Sequence, residues 1–285
     1  MNNEKSQYWI HDWSPFLIEF PQNPMGIDGL RYYGLSYLVG IIFAAFFLFL
    51  CNKKDRIQIK LYEITDLITY IILGILVGGR IGYVFLYDLG EFIRNPIFIF
   101  RIDQGGMSSH GGIIGVILSI LIFIKSRKSN ISLLRLSDAL TAIAPLGIAL
   151  GRFANFINGE LWGKVTNVSW AVLFPKSPQI YNPNTGFMEI EPRHPSQLYA
   201  MVSEGFIPLI YLQYRYWFSK YTTGQLFGEF LILYSVMRII NECFREPDAN
   251  LIFALSRGQF YSIFFFILGI LFIIKTKHNS SCDSY

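Results

Sequence analysis

The chain has 285 residues, of which 52% are hydrophobic, 17% aromatic and only 15% charged, and its mean hydropathy is +0.38. A soluble domain carries about 25% charged residues, so this composition excludes a cytosolic globule, a nucleic-acid binder and a disordered chain. The formal charge of +4 is spread over short clusters, which argues against a broad polyanion-binding face. Cys51, Cys243 and Cys282 stand far apart with no CxxC, and four scattered histidines add no zinc or disulfide framework. The first thirty residues hold Glu4, Asp12, Glu19 and Asp28 and lack a basic start before an apolar run, so no cleavable signal peptide is expected. The expectation is an all-α polytopic membrane protein, one integral membrane domain over 1–285.

A spanning helix needs about 20 mostly apolar residues. Such runs predict seven spans, near 33–51, 63–86, 110–124, 136–157, 197–217, 224–245 and 259–274. One set of loops carries Lys53, Lys54, Arg56, Lys60, Lys125, Arg127, Lys128, Arg135, Arg215, Lys220, Lys275 and Lys277. The opposite, much longer set carries only Lys5, Arg31, Arg94, Arg101, Lys164, Lys176, Arg193 and Arg257. Positive charge collects on the cytoplasmic side, which places the N-terminus outside and the C-terminus inside. The segment 158–196, rich in Pro, Asn and Gly with β-like pieces such as 168-VSWAVLF-174, reads as a small external subdomain between spans four and five. The polar tail 275–285 reads as a mobile end.

Arg80, Arg152, Arg238 and Arg245 remain within or at the ends of the proposed spans. A charge at the bilayer centre costs roughly 2.5–3.5 kcal/mol on insertion scales. Snorkelling, or pairing with Asp66, Glu204, Glu229 or Glu242, would account for any one of them. Taken jointly they say more. At about 1.5 Å per residue, Arg152 lies about 24 Å from the inner end of span four, and Arg238 and Arg245 about 21 and 31 Å from that of span six. His110 opens span three at the same outer level. Tyr234, Arg238, Glu242 and Arg245 follow at i, i+4, i+8 and i+11, one helix face. One carboxylate, Glu242, cannot neutralise two arginines, and the surplus would attract a phosphate, whose oxygens suit guanidinium forks.

Three stretches are unusually polar for membrane segments: 105-GGMSSHGGIIG-115, 151-GRFANFINGELWG-163 and 193-RHPSQLYA-200. The sixth span then ends in 238-RIINECFREPD-248. With 32-YYGLSYLVG-40 and 78-GGRIGYV-84 these motifs run in one order along nearly the whole chain. In that order the sequence resembles the phosphatidylglycerol–prolipoprotein diacylglyceryl transferase family. Ala154, Ala200 and Asn241 depart from the pattern, standing where glycine, glutamate and an apolar residue are usual. Contacts of the variable insertion 165–190 cannot be carried over.

The resemblance implies a bacterial inner-membrane, multi-pass enzyme of lipoprotein biosynthesis with its active site toward the outer leaflet. It would move diacylglyceryl from phosphatidylglycerol to the lipobox cysteine of a prolipoprotein, with no metal or organic cofactor. His110 would then act as base or substrate-orienting group, two roles the sequence does not separate. Arg152 and Arg238 would grip the growing phosphate charge, with Arg245 in support. Asn155, Asn158 and Glu160 would orient the headgroup and Arg152, although both asparagines also suit helix capping. Tyr33 matches a functional tyrosine of the family, and alone would read as an interfacial belt residue. Tyr234 and Glu242 complete the substrate-binding set. Arg80 reads as structural, paired with Asp88 or a backbone carbonyl. His194 reads as a loop residue, and Cys243 as a buried inert thiol. The rival reading is a transporter or channel for a small anion. Against it, the charges gather at one depth and the halves show no repeat. A hydrolase lacks its GxSxG, its HExxH and any serine–histidine pair at suitable spacing.

Overall fold

A computed structural model describes residues 8–20, 29–101, 106–127, 131–183, 186–247 and 250–282. Glu4, Lys5, Asp28, Gly105, Lys128 and Asp248, each used in the sequence reading, lie outside the described residues.

Long apolar runs give long helices: α1 (Tyr32–Lys53), α2 (Leu61–Leu86), a short α3 (Leu89–Arg94), α4 (Ser109–Arg127) and α5 (Leu133–Ile157). Next come α6 (Ser196–Ala200), a π-helical turn over Met201–Phe206, α7 (Ile207–Phe218), α8 (Gln225–Glu242) and α9 (Arg257–Cys282). Each of the seven expected segments is therefore largely helical, although 224–245 loses its last turn because α8 ends at Glu242. Among the described residues, five helices are long and apolar enough to cross a membrane: Tyr32–Lys53, Leu61–Leu86, Ser109–Ser126, Leu133–Ile157 and Arg257–His278. α8 carries Glu229, Arg238 and Glu242 in its 18 residues, and α6 to α7 is interrupted by the π turn. The polar groups that make these two segments interesting are what set them apart from plain lipid-crossing helices.

Helix α9 continues into the polar tail as far as Cys282. One sequence expectation changes. Cys243 is exposed, not buried, since α8 stops at Glu242 and the chain turns outward. The 158–196 segment pairs with residues near the start of the chain rather than standing as a separate domain. Its strand β4 (Val172–Leu173) pairs antiparallel with β7 (Pro192–Arg193) and parallel with β1 (Trp9–Ile10) from the start of the chain. β5 (Gln179–Asn182) and β6 (Phe187–Ile190) form a separate hairpin, as do β2 (Phe16–Glu19) and β3 (Gly29–Arg31). His11 helps seal the junction, its buried ring stacked on Phe174 and edge-on to Phe156, and burial holds its pKa below the ordinary histidine value.

The apolar core fills the end of the bundle away from these strands, around Leu48, Cys51, Leu67, Phe123, Tyr216 and Leu231. There the buried Asp138 carboxylate accepts from the backbone N–H groups of Gly224 at 2.6 Å and Phe227 at 3.2 Å. It thus caps the start of α8 from α5 and fixes the register in which Arg238 arrives at the other end. Helices α2 and α4 touch backbone to backbone through Gly74, Gly78 and Gly82 on one and Gly111 and Gly115 on the other, the small-residue packing that membrane helices favour. A Cβ on Gly78 would lie 2.5 Å from the Gly111 carbonyl oxygen. Gly78→Val should force the pair apart at a cost of about 1–3 kcal/mol, read as an earlier midpoint in SDS unfolding. An unchanged midpoint would show that the contact is not tight.

Candidate active site

Several of the polar groups singled out from sequence gather at one end of the bundle. α5, the π turn, α8 and the residues just after α8 bring three guanidinium groups to two carboxylates. Arg152 donates from Nε at 3.1 Å and Nη2 at 2.8 Å to Oε2 of Glu204. Arg238 donates to Glu204 Oε1 at 3.3 Å and to Glu242 Oε1 at 2.6 Å. Arg245 reaches the same Glu242 oxygen at 3.0 Å. Glu204 is fully buried and also accepts from Asn241 at 3.1 Å. A small cavity opens among these groups, its wall including Arg152, Arg238, Arg245, Ser196, Gln197 and Asn241. Nε of Arg238 is buried without a hydrogen-bond partner among the described residues.

Two features correct the sequence reading. Arg245 lies beyond the end of α8, where the chain makes a β-bridge from Arg245 to Gly163. Its guanidinium nonetheless returns to Glu242 across three residues. Gly163 is packed between the bridging segment and His194, where a Cβ would lie 2.7 Å from the Phe244 carbonyl oxygen and 2.5 Å from that of His194. The second concerns charge. Glu204, a candidate pairing partner by sequence and one turn from Ala200, is the hub of the cluster. Among the described residues it adds a second carboxylate to the Glu242 that helical spacing had offered to the arginines. The π turn presents Glu204 to both Arg152 and Arg238, and π turns recur at functional sites. The sequence signal is an acidic side chain in the middle of the span 197–217, whose other polar groups stand nearer its ends.

A second cluster stands beside the first. Glu160 accepts from the Tyr33 hydroxyl and from Asn155 Nδ2, each at 2.8 Å, and Asn155 also donates to the Tyr33 oxygen. Gln197 donates to the Glu160 carbonyl at 2.6 Å, tying this cluster to the cavity wall. Asn158 falls outside both clusters. It closes α5 as a C-cap, and its carbonyl accepts from Lys176 at 2.8 Å, the capping role left open above. Tyr234 is buried and stacked on Phe230 in the apolar core.

His110 enters from the first turn of α4 and is 1% exposed. Its Nε2 lies 3.3 Å from Ser262 Oγ of α9, a serine–histidine pair that sequence spacing could not reveal. Tyr261 and Phe265 close over the ring. Arg238, Glu242, Glu204 and Arg152 are within electrostatic reach. Arg80, by contrast, donates to the carbonyls of Phe98, Ile99 and Gly106, pinning the loop after α3, which is the backbone alternative of the sequence reading. His194 Nδ1 lies 3.2 Å from the Tyr199 hydroxyl in the strand region. Among the described residues no three His, Cys, Asp or Glu side chains converge as a metal site would need.

Fold and site together define a polytopic helical membrane protein with an arginine-lined cavity at one end of its bundle. A family model described as prolipoprotein diacylglyceryl transferase matches residues 24–275, and the chain belongs to that family. A relative from Rickettsia bellii (strain OSU 85-389) is 42% identical over 269 residues, covering 92% of this chain and 96% of its own. Relatives from Bradyrhizobium diazoefficiens and Shewanella oneidensis are 39% and 37% identical, covering 91% and 92% of this chain and 94% and 96% of theirs. Each of the three is named phosphatidylglycerol–prolipoprotein diacylglyceryl transferase. Nothing in these relationships supports the transporter reading.

Proposed function

We propose that the protein transfers the diacylglyceryl group of phosphatidylglycerol to the lipobox cysteine thiol of a prolipoprotein. A thioether forms and glycerol phosphate leaves, the first step of lipoprotein maturation. The observation that carries this reading is the convergence of Arg152, Arg238 and Arg245 on one cavity in a chain of this family. Phosphate gains about one negative charge as the diester becomes a monoester. Arginines fixed beforehand by Glu204 and Glu242 stabilise that developing charge more than the substrate's. Tyr33, Asn155 and Glu160 hold the neighbouring wall and orient the glycerol headgroup.

A free thiol with a pKa near 8.5 is only about 3% thiolate at pH 7, so His110 serves as its base. The thiol reaches the ring when the α9 side chains over it part. The finer architecture completes the proposal: seven spans in the bacterial inner membrane, N-terminus outside, and the cavity toward the outer leaflet with the 158–196 region above it. The cation-rich loops opposite the cavity support this orientation.

The direct test incubates purified protein with labelled phosphatidylglycerol and a lipobox peptide. A mass increase on the peptide cysteine is expected; anion transport without lipid consumption would overturn the proposal. His110→Gln should lower transfer at neutral pH by about 10²- to 10⁴-fold and recover as rising pH ionises the thiol. Unchanged turnover at neutral pH would reject the base.

A further inference from the structure

Ser262 belongs to none of the motifs, yet it is fully buried in α9 with its hydroxyl 3.3 Å from His110 Nε2. No other hydrogen bond to the imidazole is found among the described residues, and Nδ1 is buried without a partner. The ring centroids of Tyr261 and Phe265 lie 5.7 and 5.2 Å away, so α9 holds the ring through these three residues.

A neutral imidazole carries one proton, and its partner decides where. If the Ser262 hydroxyl donated to Nε2, the proton would sit on Nδ1 as a buried donor with nothing to receive it. No lone pair would then remain for a thiol. If Nε2–H donates to Ser262 Oγ, Nδ1 presents a bare lone pair. The hydroxyl hydrogen is then free to turn to the carbonyl four residues back, a habit of serine in helices.

We propose that Ser262 is a positioning residue that accepts Nε2–H of His110 and holds Nδ1 bare as the atom that takes the substrate thiol proton. This deepens the base role proposed above and rests on it. In the step, the S–H bond breaks and its proton passes to Nδ1. The sulfur electron pair forms the S–C bond at the glyceryl carbon. The C–O bond breaks with its pair retained by the phosphate oxygen, and the Nδ1 proton is then handed to the departing phosphate monoester. As the ring becomes cationic, the bond to Ser262 becomes charge-assisted, so it stabilises the transition state more than the resting enzyme.

The test uses the full chain in detergent micelles, wild type, Ser262→Ala and Ser262→Thr, assayed with phosphatidylglycerol and a lipobox peptide. The same proteins are read by NMR of ¹⁵N-labelled histidine, with His110 assigned by its loss in His110→Gln. Wild type should show a protonated Nε2 and an unprotonated Nδ1. Ser262→Ala should lower kcat about tenfold with KM for the lipid unchanged, and should populate the second tautomer. Ser262→Thr should restore both, and Ser262→Ala should cost nothing further in a His110→Gln background. A protonated Nδ1 in wild type would overturn the proposal. So would an equal loss of kcat in both backgrounds, which marks a packing role. Full activity in His110→Gln would remove the base role alone, and the tautomer signal would still uphold or overturn the hold of Ser262 on the ring.

Discussion

Arg152→Ala and Arg238→Ala should each lower kcat/KM for diacylglyceryl transfer by about 10²- to 10³-fold, the usual cost of losing one preorganised donor to a developing anion. Both side chains line the cavity, and both are aimed by the one buried carboxylate of Glu204. Folding should suffer less than activity. Removing Arg152 leaves Glu204 with Arg238 and Asn241, and removing Arg238 leaves it with Arg152 and Asn241. Arg152→Lys should recover little, because Nε and Nη2 together engage Glu204 and a point charge cannot reproduce that fork. Initial rates with labelled phosphatidylglycerol, beside SDS-unfolding midpoints, separate the two effects. Near-normal turnover in either alanine variant would contradict the phosphate-clamp assignment.

Helix positions were legible because apolar length is a local property, and the motifs placed Tyr33, His110, Arg152 and Arg238 at one bundle end. Other features depend on partners distant in sequence. A two-residue strand such as Val172–Leu173 has no pattern of its own and exists because Trp9–Ile10 and Pro192–Arg193 pair with it. Arg245 fits a helical face by spacing, yet α8 stops first because the chain turns to bridge Gly163. Glu204 was visible as a charge in a span, but a regular helix gives no hint that a π turn offers it to two arginines. Ser262 sits in an apolar stretch where serine is unremarkable, and only the approach of α9 to α4 gives it a role. Asn241, noted as a departure from the family pattern, proves to donate to both Ser203 and Glu204, so its polarity belongs to the cluster.

The largest loss of stability should come from the residue that the charge argument undervalued. Glu204→Leu strips Arg152 and Arg238, with side chains 14% and 5% exposed, of their shared partner, while the remaining carboxylate, Glu242, is already shared by Arg238 and Arg245. Breaking a buried pair from one side costs about 3–5 kcal/mol. Here one change breaks two, so Glu204→Leu should unfold in SDS well before Arg152→Ala, and with negligible transfer. The asymmetry is the diagnostic. Combining Glu204→Leu with Arg152→Met should regain part of the lost stability, since removing both members of a buried pair relieves the uncompensated charge, yet activity should stay absent because the phosphate donor is gone. A wild-type midpoint for Glu204→Leu would mean that the arginines are already solvated, and that the carboxylate contributes aim without holding the helices together.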